Sequence, residues 1–155
     1  MRTRGHGRRA EAVAKALGAI GEYGAIWFAI GIALALIDGD RREQWLAAAA
    51  LGPVAIGLNF AVKLAVRRAR PVLEDLPPLG GAPSSLSFPS AHATSSFACA
   101  TAMTRIAPEA AVLFVLAAAI AACRPYLGMH YPSDVVAGAA LGVALGLVVP
   151  LDLLA

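Results

Sequence analysis

The sequence predicts an all-α, polytopic membrane bundle of about five transmembrane helices behind a basic N-terminal interfacial segment. Three observations predict it. The 155 residues are 59% hydrophobic and 15% charged, with a mean hydropathy of +0.69, which is not the balance of a soluble domain. The apolar residues stand in long runs rather than in the one-faced periodicity of a surface helix. Between the runs lie short polar or proline-rich breaks, so they read as successive passes of one domain, residues 1–155.

The net charge is +3 and the isoelectric point near 9.2. Most of that charge flanks apolar runs, which points to anionic lipid headgroups and away from nucleic acid. Cys99 and Cys123 lie in or at the ends of apolar runs, without metal-site spacing, and read as small buried residues. The first apolar run has the length of a span and no convincing cleavage site, so no cleavable signal peptide is expected.

Residues 1–16 carry Arg2, Arg4, Arg8, Arg9 and Lys15 against Glu11. This basic flank is predicted to continue as an interfacial helix with Ala12, Val13, Ala16 and Leu17 towards lipid. A first span follows over 17–37, with Tyr23 near one interface and Trp27 either there or in packing. After the polar turn 38–43, a second span covers 45–66. Pro53 and Gly57 are tolerable there because neighbouring helices cover the loosened backbone, and Asn59 is expected to face those helices. Residues 67–89, rich in Pro, Gly and Ser, read as a long loop over the active site, with Glu74 and Asp75 as a solvated acidic pair.

The third helix is predicted over 90–105. His92, Thr94, Ser95, Ser96, Thr101 and Thr104 make it too polar to face lipid, so it should be central. Pro108 opens a short fourth span that closes at Cys123 or Arg124, before Pro125. The last span covers 134–154, where Gly138, Gly142 and Gly146 recur every four residues and lay a groove for a neighbouring helix. Alternation of the spans puts the ends of the second and fourth, and the starts of the third and fifth, on one side of the membrane. Lys63, Arg70, His92, Arg124, His130 and Asp134 therefore share a face.

Those residue types suit phosphoryl chemistry. Lys63, Arg67 and Arg70 are spaced to share a helical face, with Pro71 ending the helix, and long cations at such an end can converge on a phosphate. Arg67 and Arg68 read as the ordinary basic flank of a span. Ser90 is placed to cap the third helix, turning the amides of its first turn towards an anion. Asp134 follows His130 by four residues, so its carboxylate can hold one ring nitrogen and leave the other as a nucleophile.

Three stretches in order, Lys63 with Arg70-Pro71 after six residues, Pro89-Ser90-Ala91-His92, and Cys123-Arg124 with His130 and Asp134, resemble the type 2 phosphatidic acid phosphatase superfamily. These lipid phosphatases share a site plan with vanadium haloperoxidases. Spacing and order match over about half the chain. Ala91 stands for the usual glycine and Cys123 for the usual serine, and neither position touches the acid–base or nucleophilic groups. The haloperoxidases are larger soluble proteins, which the apolar runs here argue against.

The resemblance implies a phosphatase that needs neither metal nor other cofactor. In it His130, oriented by Asp134, attacks phosphorus and forms a phosphohistidine. His92 protonates the leaving oxygen and then activates water. Lys63, Arg70, Arg124 and Ser90, with the amides near Ala91 and His92, hold the equatorial oxygens. The substrate would be an amphiphile with a phosphate head. The small size and the segment from Arg70-Pro71-Val72 through Leu86-Ser87 to Phe97 look most like the bacterial branch acting on decaprenylphosphoryl-5-phosphoribose, in cell-wall arabinose-donor synthesis. Undecaprenyl diphosphate and phosphatidylglycerophosphate are alternatives, and a non-catalytic bundle or small transporter is the reading from another class. Oligomeric state is not legible. The protein is expected to be multi-pass in the bacterial inner or plasma membrane, and counting Arg2, Arg4, Arg8, Arg9, Lys15, Arg67 and Arg68 on the motif side against Arg41, Arg42 and Arg105 opposite predicts that its active site faces the cytoplasm.

Overall fold

The computed structural model describes residues 7–72, 79 and 86–154. They form six α-helices: α1 Arg8–Ile20, α2 Ala25–Ile37, α3 Arg42–Val66, α4 Ala91–Ile106, α5 Leu113–Tyr126 and α6 Pro132–Val148. Among the described residues there is no strand, only an isolated antiparallel bridge between Ala69 and Leu86. Arg2, Arg4, Glu74 and Asp75 lie outside the described residues.

The predicted single span over 17–37 is broken. α1 and α2 meet at a 50° bend, where Tyr23 (φ 52°) and Gly24 (φ 76°) are left-handed in succession. A tyrosine in that region costs roughly 1–2 kcal/mol, so the packing around it must hold the bend. Gly24 sits against Gly52 of α3. One turn on, Trp27 is fully buried and donates its indole N–H to Ser96 Oγ at 3.0 Å. Trp27 thus belongs to packing, while Tyr23 is exposed.

α3 begins at Arg42 and ends at Val66, short of Pro71. Arg67 is left-handed (φ 53°) and its N–H returns to the Lys63 carbonyl at 2.9 Å, a C-terminal αL cap. Lys63, Arg67 and Arg70 therefore do not share a helical face, as their spacing had suggested. The chain instead leaves α3 extended. The Ser87 N–H donates to the Arg68 carbonyl (2.8 Å) and the Ser87 hydroxyl to the Ala69 carbonyl (3.0 Å), fixing Arg68 and Arg70 against the approach to α4.

α4 is the axis of the bundle. His92, Thr94, Ser95, Ser96 and Thr101 are all buried in it, and Asn59 of α3 donates to Thr94 Oγ1 at 2.8 Å. Its hydroxyls are tolerated because protein surrounds them. α6 lies closely along it: a Cβ at Gly138 would fall 2.6 Å from the Ser90 carbonyl oxygen and one at Gly146 2.6 Å from that of Ala98. A side chain at Gly142 would overlap the Thr94 carbonyl. The four-residue glycine period is thus the seam that seats α6 on α4.

The chain is a multi-pass membrane protein. Gly39–Val66, Pro108–Tyr126 and Pro132–Leu153 are each long and apolar enough to cross a bilayer, and the bent pair α1–α2 passes the same test only when its two helices are taken together. α4, with 16 residues, is shorter than the roughly 20 a lipid-exposed span requires and runs inside the others. α5 continues through Pro125 to Tyr126 instead of closing before it. In the last turn a proline forfeits one main-chain hydrogen bond without ending the helix. α6 starts at Pro132, at the first helical position where proline is favoured, and stops at Val148 before Pro150, so the predicted span to 154 ends as a separate 3₁₀ turn, Leu151–Leu154.

Candidate active site

The ends of α3 and α5 and the starts of α4 and α6 come together at one end of the bundle. Lys63, Arg70, Ala91, His92, Arg124 and His130 line a single cavity of about 230 Å³. Alternation of spans had placed these residues on one face, and the structure brings them around one space. Ser90 and Asp134 stand one layer behind the lining.

Each side chain is held by its local structure. Lys63, buried, directs Nζ to the carbonyls of Leu86 (3.2 Å) and Ser87 (3.4 Å). Arg70 anchors Nη1 on the Met129 carbonyl at 2.7 Å. Arg124 is buried, and among the described residues its Nε has no hydrogen-bond partner. Gly128 (φ 73°) turns the chain out of α5, and the Met129 N–H returns to the Arg124 carbonyl at 3.0 Å, which delivers His130 to the cavity.

Ser90 caps α4: its Oγ accepts the Ala93 N–H at 3.4 Å, and its carbonyl accepts the Thr94 N–H at 2.9 Å. Its own N–H donates to the Asp134 carbonyl at 2.9 Å, locking the starts of α4 and α6 together. Among the described residues the amides of Ala91 and His92 have no main-chain acceptor, and the first turn of a helix favours an anion there.

Asp134 is fully buried and fully occupied. Its Oδ2 accepts the Tyr131 N–H at 2.8 Å and lies 3.6 Å from His130 Nδ1. Its Oδ1 accepts from Arg68 Nη1 at 3.0 Å. The same Nη1 donates to Ser133 Oγ at 2.9 Å, and the Arg68 guanidinium lies 4.1 Å from the Tyr131 ring centroid. Arg68 is therefore no idle basic flank. It neutralises the one buried carboxylate beside His130, which leaves Lys63, Arg70 and Arg124 as cations facing the cavity. No signal in the sequence separates Arg68 from Arg67, because the left-handed cap that parts them appears only in the folded backbone.

Arg68→Ala is accordingly expected to lower turnover at least about tenfold, since a hydrogen bond to a charged group contributes about 1.5–3 kcal/mol and its loss frees the carboxylate to shift. Steady-state kinetics on folded protein would check this. Activity within twofold of the parent would show that Asp134 holds its place without Arg68.

His130 is almost wholly buried. Burial first, and then the charges of Arg70, Lys63 and Arg124, push its pKa down to about 2. The ring is neutral near pH 7, the state a nitrogen nucleophile requires. His92 approaches from the other side, with Nε2 3.1 Å from the Gly18 carbonyl oxygen and 3.6 Å from Glu22 Oε2.

Sequence reasoning did not place Gly21, Glu22, Tyr23 or Asn59 on the cavity, yet all four line it. The bend between α1 and α2 brings the first three there. Ile56 and Phe60 of α3 complete the wall with apolar surface. Cys99 and Cys123 are free and buried, and Cys123 Sγ donates to the Ile120 carbonyl at 3.0 Å. Among the described residues, no three His, Cys, Asp or Glu side chains converge as metal ligands would.

Two buried histidines, three cations and the start of α4 surround one cavity at the end of a membrane bundle, and residues 43–154 match the PAP2 superfamily, to which the chain belongs. With phosphatases as its relatives, it is a hydrolase of phosphate esters. The chain is 41% identical over 138 residues to the decaprenylphosphoryl-5-phosphoribose phosphatase of Mycobacterium tuberculosis, covering 89% of this chain and 77% of that one. To the Mycolicibacterium smegmatis protein of the same name it is 43% identical over 127 residues, covering 81% and 69%. Among solved structures it resembles LpxE of Aquifex aeolicus, with a TM-score of 0.74, 26% identity and coverage of 92% and 86%. The PAP2-type phosphatidylglycerolphosphate phosphatase of Bacillus subtilis aligns with a TM-score of 0.53, 26% identity and coverage of 92% and 85%.

Proposed function

We propose that the protein removes the terminal phosphate from a polyprenyl-linked phosphosugar, with decaprenylphosphoryl-5-phosphoribose as the leading candidate, through a phosphohistidine on His130. One observation carries the reading: three cations and two histidines face one cavity that also presents the apolar side chains of Ile56 and Phe60, while the neighbouring Asp134 charge is already neutralised by Arg68. An anionic head with a long apolar tail completes that arrangement. The names of the mycobacterial relatives support the sugar between them.

Asp134 Oδ2, 3.6 Å from His130 Nδ1, orients the ring from that side, and Nε2 attacks phosphorus. Lys63, Arg70, Arg124 and the Ala91 and His92 amides neutralise the equatorial oxygens as charge spreads over them. Ser90 acts by capping the turn that presents those amides. His92 gives a proton to the leaving oxygen and then takes one from the water that cleaves the P–N bond.

Purified protein is expected to release phosphate from decaprenylphosphoryl-5-phosphoribose or a short-chain analogue, faster than from undecaprenyl diphosphate or phosphatidylglycerophosphate, and equally well in EDTA. Loss in EDTA restored by magnesium would contradict the metal-free chemistry. No release from any of the three would favour the non-catalytic or transport reading.

The cavity is assigned to the cytoplasmic side, on the excess of Lys and Arg around the motif loops and the amino-terminal segment. Single cysteines at Ser84 and Gly39, in a background lacking Cys99 and Cys123, test it. An impermeant thiol reagent on intact cells is expected to label position 39 and spare position 84. The opposite pattern would put the site outside and favour recycling of a polyprenyl diphosphate.

A further inference from the structure

The superfamily match covers residues 43–154, yet part of the cavity wall comes from before it. The α1–α2 bend brings the Gly18 carbonyl to 3.1 Å and the Glu22 carboxylate to 3.6 Å from the same atom, His92 Nε2. The closeness is built in: a Cβ on Gly21 would stand 3.1 Å from His92 Cδ2 and 2.8 Å from Ile120 Cγ2, and one on Gly18 3.0 Å from Arg124 Nη1. Glu22 is the one carboxylate lining the cavity among the described residues. The charged groups around the His92 ring are Lys63 from α3, Arg70 from the segment after it, Arg124 from α5 and Glu22 from the bend; His130, neutral, faces it from the loop before α6.

We propose that the amino-terminal bend is a positioning element for His92, in which the Gly18 carbonyl and the Glu22 carboxylate fix which ring nitrogen carries the moving proton. A carbonyl oxygen has no proton to give, so the neutral ring holds its proton on Nε2 and leaves Nδ1 free. When Nδ1 also takes a proton, the ring becomes a cation, and Glu22 is the anion that, among the described residues, lines the cavity to offset Lys63, Arg70 and Arg124. The inference rests on the phosphatase reading, in which His92 moves the proton.

The steps balance. The lone pair on His130 Nε2 forms the P–N bond as the P–O bond breaks, and the electron pair leaves with the alcohol oxygen. That oxygen takes the proton from Nδ1 of His92. In the second step Nδ1 takes a proton from water as its oxygen bonds to phosphorus, and the P–N pair returns to His130. Nε2 of His92 keeps its proton throughout. Glu22 and Gly18 do for His92 what Asp134 does for His130.

The test is the pH profile of kcat/KM for full-length Glu22→Gln and Glu22→Asp in detergent, with a short-chain prenyl phosphate as substrate. Because the imidazolium must be present for the first step, Glu22→Gln is expected to move the basic limb to lower pH by about one unit, a tenfold change in the protonation equilibrium. Glu22→Asp should restore most of the shift. The Gln variant should also lose more rate on an alkyl phosphate than on an aryl phosphate, whose leaving group needs no proton. A uniform drop at every pH with the limb unmoved, or no change at all, would overturn the proposal. A His92→Ala protein that turns over the prenyl phosphate at the parental rate would instead overturn the reading beneath it.

Discussion

His130→Ala protein is expected to fold and to lose turnover by about ten-thousand-fold or more, the scale seen when a catalytic nucleophile is removed. His130 sits in the turn between α5 and α6, held there by Gly128 and by the Met129 N–H on the Arg124 carbonyl, so truncating its ring leaves the helix contacts intact. The native ring also has a pH signature. A histidine of ordinary pKa 6.5 protonates as the solution is acidified, whereas folded His130 resists to about 2. Its folded value is depressed, so its contribution to stability is whole above pH 6.5 and falls as the pH drops from there towards about 2. The acid limb of the rate profile should therefore not report His130. Replacing Asp134 with Asn, at the carboxylate where Arg68, Tyr131 and His130 meet, should lower activity severely in protein that still folds.

His92→Ala carries the second large effect, and its size should depend on the leaving group. General acid–base catalysis by a placed histidine contributes about 10²–10⁴-fold. With a prenyl or alkyl phosphate, formation of the phosphoenzyme should slow by that factor. With an aryl phosphate the first step should proceed at near-parental rate and only hydrolysis of the intermediate should slow, so a burst of phenol precedes a slow steady state. Rapid-quench measurement of both substrates would check this. Equal losses on the two would remove His92 from the proton path.

Much of this was legible in the sequence because the site is written in the spacing of chemically distinctive residues. The order Lys63, Arg70, His92, Arg124, His130, Asp134, with apolar runs between, was enough to gather them at one end of a bundle. Composition alone marked α4 as central, since a helix carrying Thr94, Ser95 and Ser96 cannot face lipid. The glycine period of α6 announced its seam. What stayed hidden depends on backbone conformation at single residues. Arg67 taking a left-handed conformation ends α3 early and sends Arg68, not Arg67, to Asp134. Tyr23 taking one breaks an otherwise continuous apolar run and turns Glu22 into the cavity. Non-glycine residues rarely adopt that region, and only tertiary packing selects it.

The central claim, a covalent phosphate on His130, is tested most directly by trapping. Full-length His92→Ala protein, mixed with an aryl phosphate and quenched in alkali to preserve a P–N bond, would be digested and mapped by mass spectrometry. The account predicts one phosphate on the peptide carrying His130, stable in base, lost on mild acidification and missing from the His92→Ala/His130→Ala double variant. Phosphate release by the enzyme with no such adduct, or an adduct retained in the double variant, would contradict it.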